Sequence, residues 1–340
     1  IDNAARANLP AVVSYPDKIT LLVTSACNYN CVMCGGGGKG RHMERGVFEA
    51  LKPLLPFVSK ATLLGGEPLL SPMIDDILEE FGRQDVLPAF ITNGSLMTHE
   101  RTATFVRNGV ERVTISIDAA RPETYANIRR GGNFLKVIKN VATLSKDKAR
   151  ARSSWPRITF NFVAMRRNID EFPRLVQLAV DLGVSQVAGF HMLVCSEEMM
   201  EESLFFHQEL ANGRFQEAKA LGERLGVEVD VPPPFGGEKR TEAACKHCVE
   251  PWKTLLVDID GRVQSCCRME RYGNVLEQPF EAVWNSEIVQ RYRRTVNTPD
   301  ELDICRTCHM GMKTPDVDSI NTHFKAQLRD KALEYLQTVA

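Results

Sequence analysis

The sequence predicts an α/β fold: six β/α units forming a barrel or partial barrel on a parallel sheet, followed by a smaller cysteine-bearing unit. Two observations predict it. From Lys18 onward, short apolar runs of β type alternate with amphipathic helical segments. A stiff-then-flexible stretch, Val231-Pro232-Pro233-Pro234-Phe235-Gly236-Gly237, then interrupts the alternation ahead of a second group of cysteines. Repeated β/α units imply right-handed crossovers and a parallel sheet, with a functional site at the C-terminal ends of the strands. An open, doubly wound sheet satisfies the same alternation.

The expected strands are Ile19–Thr24, Ala61–Leu64, Ala89–Thr92, Val113–Ile117, Ile158–Val163 and Val187–Leu193, each rich in β-branched, aromatic or leucine residues and bounded by turn formers. Helices are expected near Val47–Leu55, Met73–Phe81, His99–Asn108, Phe134–Ser145 and Glu171–Leu182. The last shows Phe172, Leu175, Val176, Leu178, Ala179 and Leu182 on one stripe, stopped by Gly183. A charged helical segment follows at Leu204–Leu225. Beyond the proline stretch, Thr254–Ile259 and Arg262–Ser265 flank Asp260-Gly261, a β-hairpin signal. Asn321–Val339 is expected to be helical. The expected division is 1–230 for the barrel, 231–315 for the second unit and 316–340 for a C-terminal helix.

The composition narrows the function. The 340 residues carry 42 Lys+Arg against 43 Asp+Glu, a formal charge of −1, so bulk attraction to nucleic acid or an anionic membrane is not expected. A hydrophobic fraction of 44% and a charged fraction of 25% fit an ordered globular chain. No apolar run is long enough to span a bilayer, and Ile1–Pro10 lacks the pattern of a secretion signal. Ten cysteines without such a signal point to metal ligation or redox chemistry in a reducing cytoplasm rather than to disulfides.

The cysteines fall into two groups. Cys27, Cys31 and Cys34 follow the first strand in a loop that runs into four glycines. Cys245, Cys248, Cys266, Cys267, Cys305 and Cys308 lie near the end, and Cys195 stands between the groups. Three thiolates in one short loop can hold three irons of a [4Fe-4S] cubane and leave the fourth iron open. A zinc site completed by a distant ligand is the alternative.

The Cys-x3-Cys-x2-Cys spacing after a first strand resembles the radical S-adenosylmethionine (SAM) enzymes. The resemblance continues at Gly65-Gly66-Glu67-Pro68 after the second strand. It implies a partial (β/α)6 barrel, SAM chelating the open iron, and a 5′-deoxyadenosyl radical that removes hydrogen from a substrate carbon. It also implies SAM contacts from Gly65, Gly66 and Glu67, whose turn binds the amino group of SAM with the Glu67 carboxylate meeting the ammonium, from Asn93 after strand three, from Ser116 and Asp118 after strand four, and from Arg129, with Arg130 the alternate. Met33 is expected near adenine. His191 either faces the pocket or is structural.

The second group resembles the SPASM/twitch extensions of the same enzymes. Twelve residues separate Cys248 from Gly261, which opens a Gly-x4-Cys266 step; Gly273-Asn274, Trp284-Asn285, Arg293 and Cys305-x2-Cys308 follow. The spacing is similar to the twitch-type 2-deoxy-scyllo-inosamine dehydrogenases. It implies one auxiliary [4Fe-4S] cluster on Cys248, Cys266, Cys305 and Cys308, with Cys245 an alternate first ligand. Paired Cys-x2-Cys motifs also suit a zinc knuckle.

One of Cys195 and Cys267 is expected to be the hydrogen-atom donor if the reaction is an epimerisation; Cys195 is otherwise a small buried residue. The expected substrate is a small polar molecule such as a sugar or aminocyclitol, with a peptide as the alternative; only 26 residues precede Cys27, few for a leader-binding domain. The resemblance implies flavodoxin or ferredoxin as electron donor.

Overall fold

The computed structural model describes residues 1–34, 38–237, 247–306, 308 and 317–339. The expected strands appear as β1 Lys18–Thr24, β2 Lys60–Gly65, β3 Leu87–Thr92, β4 Arg112–Ser116, β5 Arg157–Ala164 and β6 Gln186–His191. Neighbours pair in parallel in that order, as crossover helices require. The chain is thus an α/β fold of the partial-barrel type.

Alternating burial shows the two faces. On β4, Val113 and Ile115 are fully buried against the helix layer, whereas Ser116 is half-buried on the inner face. On β3, Phe90 packs edge-on against Phe105 of the helix His99–Arg107 at 4.8 Å between ring centres, and Ile91 turns inward, partly exposed.

Several boundaries differ from expectation for local reasons. The helix expected to reach Leu55 stops as Arg45–Leu51 and tightens into a 3-10 turn, Lys52–Phe57, because Pro53 and Pro56 have no N–H to donate. The segment from Leu204 begins as a 3-10 turn, and its α-helix spans Gln208–Leu225, ended by Gly226 in the left-handed region. A helix missed in the sequence, Pro122–Ile128, starts on a proline, which suits a first helical position.

The sheet does not end where the sequence pattern changes. Strand β7 (Glu228–Asp230) adds in parallel to β6. The hairpin β8 (Thr254–Val257) and β9 (Arg262–Gln264) joins the opposite edge, β8 pairing in parallel with β1 from Lys18↔Thr254 to Leu21↔Val257. With β10 (Gly273–Asn274) the order is β10-β9-β8-β1-β2-β3-β4-β5-β6-β7. The cysteine-rich unit therefore shares hydrogen bonds with the first barrel strand.

Both terminal segments are pinned to this frame. Trp252 Nε1 donates to Leu9 O and Trp284 Nε1 to Ser14 O, each at 2.9 Å, and Asn285 bonds both the N–H and the carbonyl of Val12. Arg293, fully buried, donates to Pro10 O and Pro251 O and lies 4.7 Å over the Trp284 ring. Burial lowers its guanidinium to about 10. At the other end, Val194 N donates to His323 O at 2.7 Å, tying the tail to the segment after β6; the expected C-terminal helix is broken into Ile320–His323 and Arg329–Val339. No helix among the described residues is long and apolar enough to cross a membrane.

Candidate iron–sulfur and cofactor site

The first cysteine loop leaves the C-terminal end of β1, closes on itself and is tied to the segment that carries Arg129. Cys27 and Gly38 exchange backbone hydrogen bonds at 3.2 Å, Cys34 N donates to Cys31 O, and Asn30 N and Val32 N donate to the carbonyls of Arg130 and Ile128. Cys27 and Cys31 are half-buried and Cys34 is exposed. Burial pushes the Cys27 and Cys31 thiols up, and each is close enough to the others of the trio for their charges to act on it. Crowded, desolvated thiols stay protonated without a cation, so the donor set fits a bound iron cluster that holds them as thiolates.

The Gly-Gly-Glu-Pro turn packs directly under this loop. A side chain on Gly65 (φ +143°) would place Cβ 1.9 Å from Thr24 O, and one on Gly66 would lie 2.2 Å from Ala26 O. The glycines therefore permit a backbone crossing against the residues that lead into Cys27, where Gly66 N and Glu67 N donate to Thr24 O and Ala26 O at 2.8 Å. Glu67 is fully buried. Its carboxylate accepts from Thr92 Oγ1 (2.6 Å), Asn93 N (2.7 Å) and Leu69 N (3.2 Å). These bonds oppose the upward push that burial exerts on it. The side chain expected to meet an ammonium thus ties the end of β3 to the turn after β2.

Asn93 extends the same network. Its amide nitrogen donates to Asn28 Oδ1 at 2.9 Å, its oxygen accepts from Ser95 N, and Asn28 Nδ2 donates to Ser95 Oγ. Asn28 was missed in the sequence; its signal is a carboxamide directly after the first cysteine of the loop.

Asp118 and Arg129 form a buried ion pair. Asp118, fully buried with φ +56°, accepts from Val163 N at 2.7 Å, and Arg129 Nη2 pairs with its other oxygen. Arg129 Nη1 also lies 3.7 Å from Cys31 Sγ. Burial works against the charge of the guanidinium, but Asp118 and Cys31 hold it above its ordinary range; burial likewise pushes Asp118 up against the pull of Arg129. Arg129 Nε is buried without a partner, a donor left for an anionic group. Arg130 is exposed.

Ser116 stands differently. It is in register with Asn161 of β5 on the inner face, and neither side chain has a hydrogen-bond partner among the described residues. Ser116 is the last residue of β4, at the same C-terminal strand end from which the cysteine loop leaves β1. Asn161 was not anticipated; a lone amide in Phe160-Asn161-Phe162 was the available signal. Met33 is half-buried against the core. His191 lies on the helix side of β6, beside Phe215, Phe235 and His323 at 5.5, 4.8 and 5.0 Å between ring centres.

In the second group, Cys248, Cys266, Cys305 and Cys308 are half-buried and Cys267 is exposed; Cys245 lies outside the described residues. Burial pushes Cys248 up to about 12, and Cys266 and Cys305 are near enough to act on it; Cys308 in turn acts on Cys266. Asn297, with φ +63°, holds the Cys248 backbone by accepting from Cys248 N and donating to Cys248 O. Four thiols are the donor set that a [4Fe-4S] cluster takes, whereas among the described residues no group of three His, Cys, Asp or Glu side chains is placed to hold a single metal ion. Cys195 is half-buried, its thiol donating to Leu193 O at 3.3 Å.

A family model of the Radical SAM superfamily matches residues 21–179, and one of an iron–sulfur cluster-binding domain, SPASM, matches residues 245–309. An AdoMet-dependent heme synthase of Methanosarcina barkeri is 25% identical over 331 residues, covering 87% of this chain and 90% of its own. A GTP 3′,8-cyclase of Hydrogenovibrio crunogenus is 32% identical over 180 residues, 49% of this chain and 52% of its own. Streptococcus suis SuiB bound to S-adenosylmethionine shares the fold at a TM-score of 0.66 and 12% identity, over 90% of this chain and 74% of that one. The protein anSMEcpe with bound AdoMet does so at 0.64 and 15%, over 96% of each chain.

Proposed function

We propose, for a chain that joins a radical SAM domain to a SPASM iron–sulfur domain, that it cleaves SAM reductively and removes a hydrogen atom from a carbon of an organic substrate on the inner face of the barrel. One observation carries this reading. The Cys27, Cys31 and Cys34 loop and the unpartnered Ser116–Asn161 pair open at the same, C-terminal end of the strands.

When bound there, the cluster and SAM supply a carbon-centred oxidant strong enough for an unactivated C–H bond. The chain's own residues supply position. Cys27, Cys31 and Cys34 hold three irons. Arg129, restrained by Asp118, offers its free Nε to a carboxylate, and Ser116 and Asn161 offer a hydroxyl and an amide to a ribose or to the substrate. Glu67 and Asn93 keep the loops that carry these groups in register. Cys248, Cys266, Cys305 and Cys308 hold the auxiliary cluster.

The polar pair favours a small polar substrate, a sugar or aminocyclitol, with dehydrogenation as the outcome. Return of a hydrogen atom from Cys195 or Cys267 gives epimerisation instead. A peptide is the second reading, favoured by Phe190 and Leu193, which stay 46% and 41% exposed at the end of β6. Reduction by flavodoxin or ferredoxin in the cytoplasm completes the proposal.

The test is anaerobic reconstitution followed by incubation with SAM and dithionite. About eight irons per chain and formation of 5′-deoxyadenosine, lost on Cys27→Ala, are expected. Zinc in place of iron, or no 5′-deoxyadenosine from the iron-loaded protein, would overturn the reading. In deuterium oxide an epimerase labels its product and a dehydrogenase does not.

A further inference from the structure

The opposite, N-terminal end of the barrel carries a second cavity, of about 380 Å³, within the roughly 300–1,000 Å³ typical of small-molecule sites. It is lined by Thr20, Thr62 and Thr254 on the inner face, and at its rim by Lys18, Lys60, Arg112, Glu111 and Glu250. A barrel floor that only packed would be filled by branched apolar side chains; this one presents hydroxyls and charges.

Three features point to a missing anion. Lys18 and Lys60 stand side by side in register on β1 and β2, a like-charge neighbour pair that costs stability without a counter-charge. Glu111 answers Lys60 alone, at 2.6 Å, while Lys18 and Arg112 have no acidic partner among the described residues. Thr254, 8% exposed, has a buried hydroxyl without a hydrogen-bond partner. Buried polar atoms are rarely left so. Among the described residues, Glu250 is the rim carboxylate without an ion-pair partner.

We propose that this floor is a second ligand site, taking a small molecule through a phosphate group held by Lys18, Lys60 and Arg112 with its oxygens on Thr20, Thr62 and Thr254. Three cations against the two carboxylates Glu111 and Glu250 leave the rim net positive, and three hydroxyls supply donors to the terminal oxygens of a phosphate. The site lies at the far end of the barrel from the cysteine loop and does not depend on the proposed reaction.

The experiment is calorimetric titration of the reconstituted holoenzyme, saturated with SAM, with inorganic phosphate, pyrophosphate and citrate. One phosphate or pyrophosphate per chain is expected. Lys18→Gln and Arg112→Gln should each weaken it on the order of tenfold. Thr254→Val should weaken it less, and Arg224→Gln, on an exposed helix face elsewhere, should leave it at the wild-type value. The substituted cations are exposed, so folding is not at stake. No binding, or equal binding in Arg112→Gln, or equal weakening in Arg224→Gln, would overturn the site. Tighter binding of citrate than of either phosphate would overturn the phosphate assignment.

Discussion

Arg129 reaches the sulfur of Cys31 with one guanidinium nitrogen, at 3.7 Å, while another nitrogen holds Asp118. One side chain therefore couples the cysteine loop to the end of β4. Its neighbour Gly131 turns back under Asn28 with φ +88°. The loop that carries the thiols is thus braced from the opposite wall of the site.

Removing the cation from this pair should be costly. Arg129→Gln leaves a fully buried carboxylate uncompensated, and loss of one partner of such a pair costs about 3–5 kcal/mol. Denaturant unfolding of the cluster-free protein should show that drop, and adding Asp118→Asn should recover part of it. A single variant as stable as the wild type would mean that the pair does not order this wall.

Glu67 separates two roles by what is lost. A carboxylate that only meets a ligand ammonium leaves folding unchanged when replaced. The three hydrogen bonds seen here instead predict that Glu67→Gln, which turns one acceptor into a donor among Thr92, Asn93 and Leu69, destabilises the chain by about 1–3 kcal/mol. Unfolding midpoints measured without SAM distinguish the cases: an unchanged midpoint restores the ammonium role.

The strands were legible because each is a short apolar run between turn residues, and their order followed from the β/α alternation. What escaped was long-range. Nothing local in Thr254-Leu255-Leu256-Val257 says that it will pair with Lys18–Leu21, more than two hundred residues earlier. Asn28 and Asn161 were invisible for a related reason. Their significance lies in what stands opposite, Asn93 and Ser116, which only strand register reveals. Glu67 was visible as a residue, but its partners lie on the next strand.

The thiol assignments make a counting prediction. Cys248→Ser, Cys266→Ser, Cys305→Ser or Cys308→Ser should each reduce iron from about eight to about four per chain, since a cubane holds four, while leaving the SAM-responsive electron paramagnetic resonance signal of the first cluster. Cys195→Ala and Cys267→Ala should keep about eight. Loss of four irons in Cys245→Ala but not in Cys248→Ser would exchange those two assignments.

Stability should also fall on mild acidification, and the group responsible can be tested. Burial among Phe215, Phe235 and His323 lowers His191 to about 3, and both ring nitrogens lack hydrogen-bond partners. The folded chain keeps this imidazole neutral, whereas the unfolded chain protonates it below its ordinary value of 6.5. Its contribution is therefore complete above that value and lost as pH falls toward the folded value, at about 1.4 kcal/mol for each pH unit. Between pH 7 and pH 5 this amounts to about 2 kcal/mol. His323, lowered in the same direction, adds to it. Phenylalanine suits the aromatic surroundings and brings no unpaired nitrogen, so His191→Phe should match or exceed the wild-type stability at pH 7 and flatten the acid slope. Urea midpoints at the two pH values measure both effects; a slope as steep in His191→Phe as in the wild type would assign the acid sensitivity to other groups.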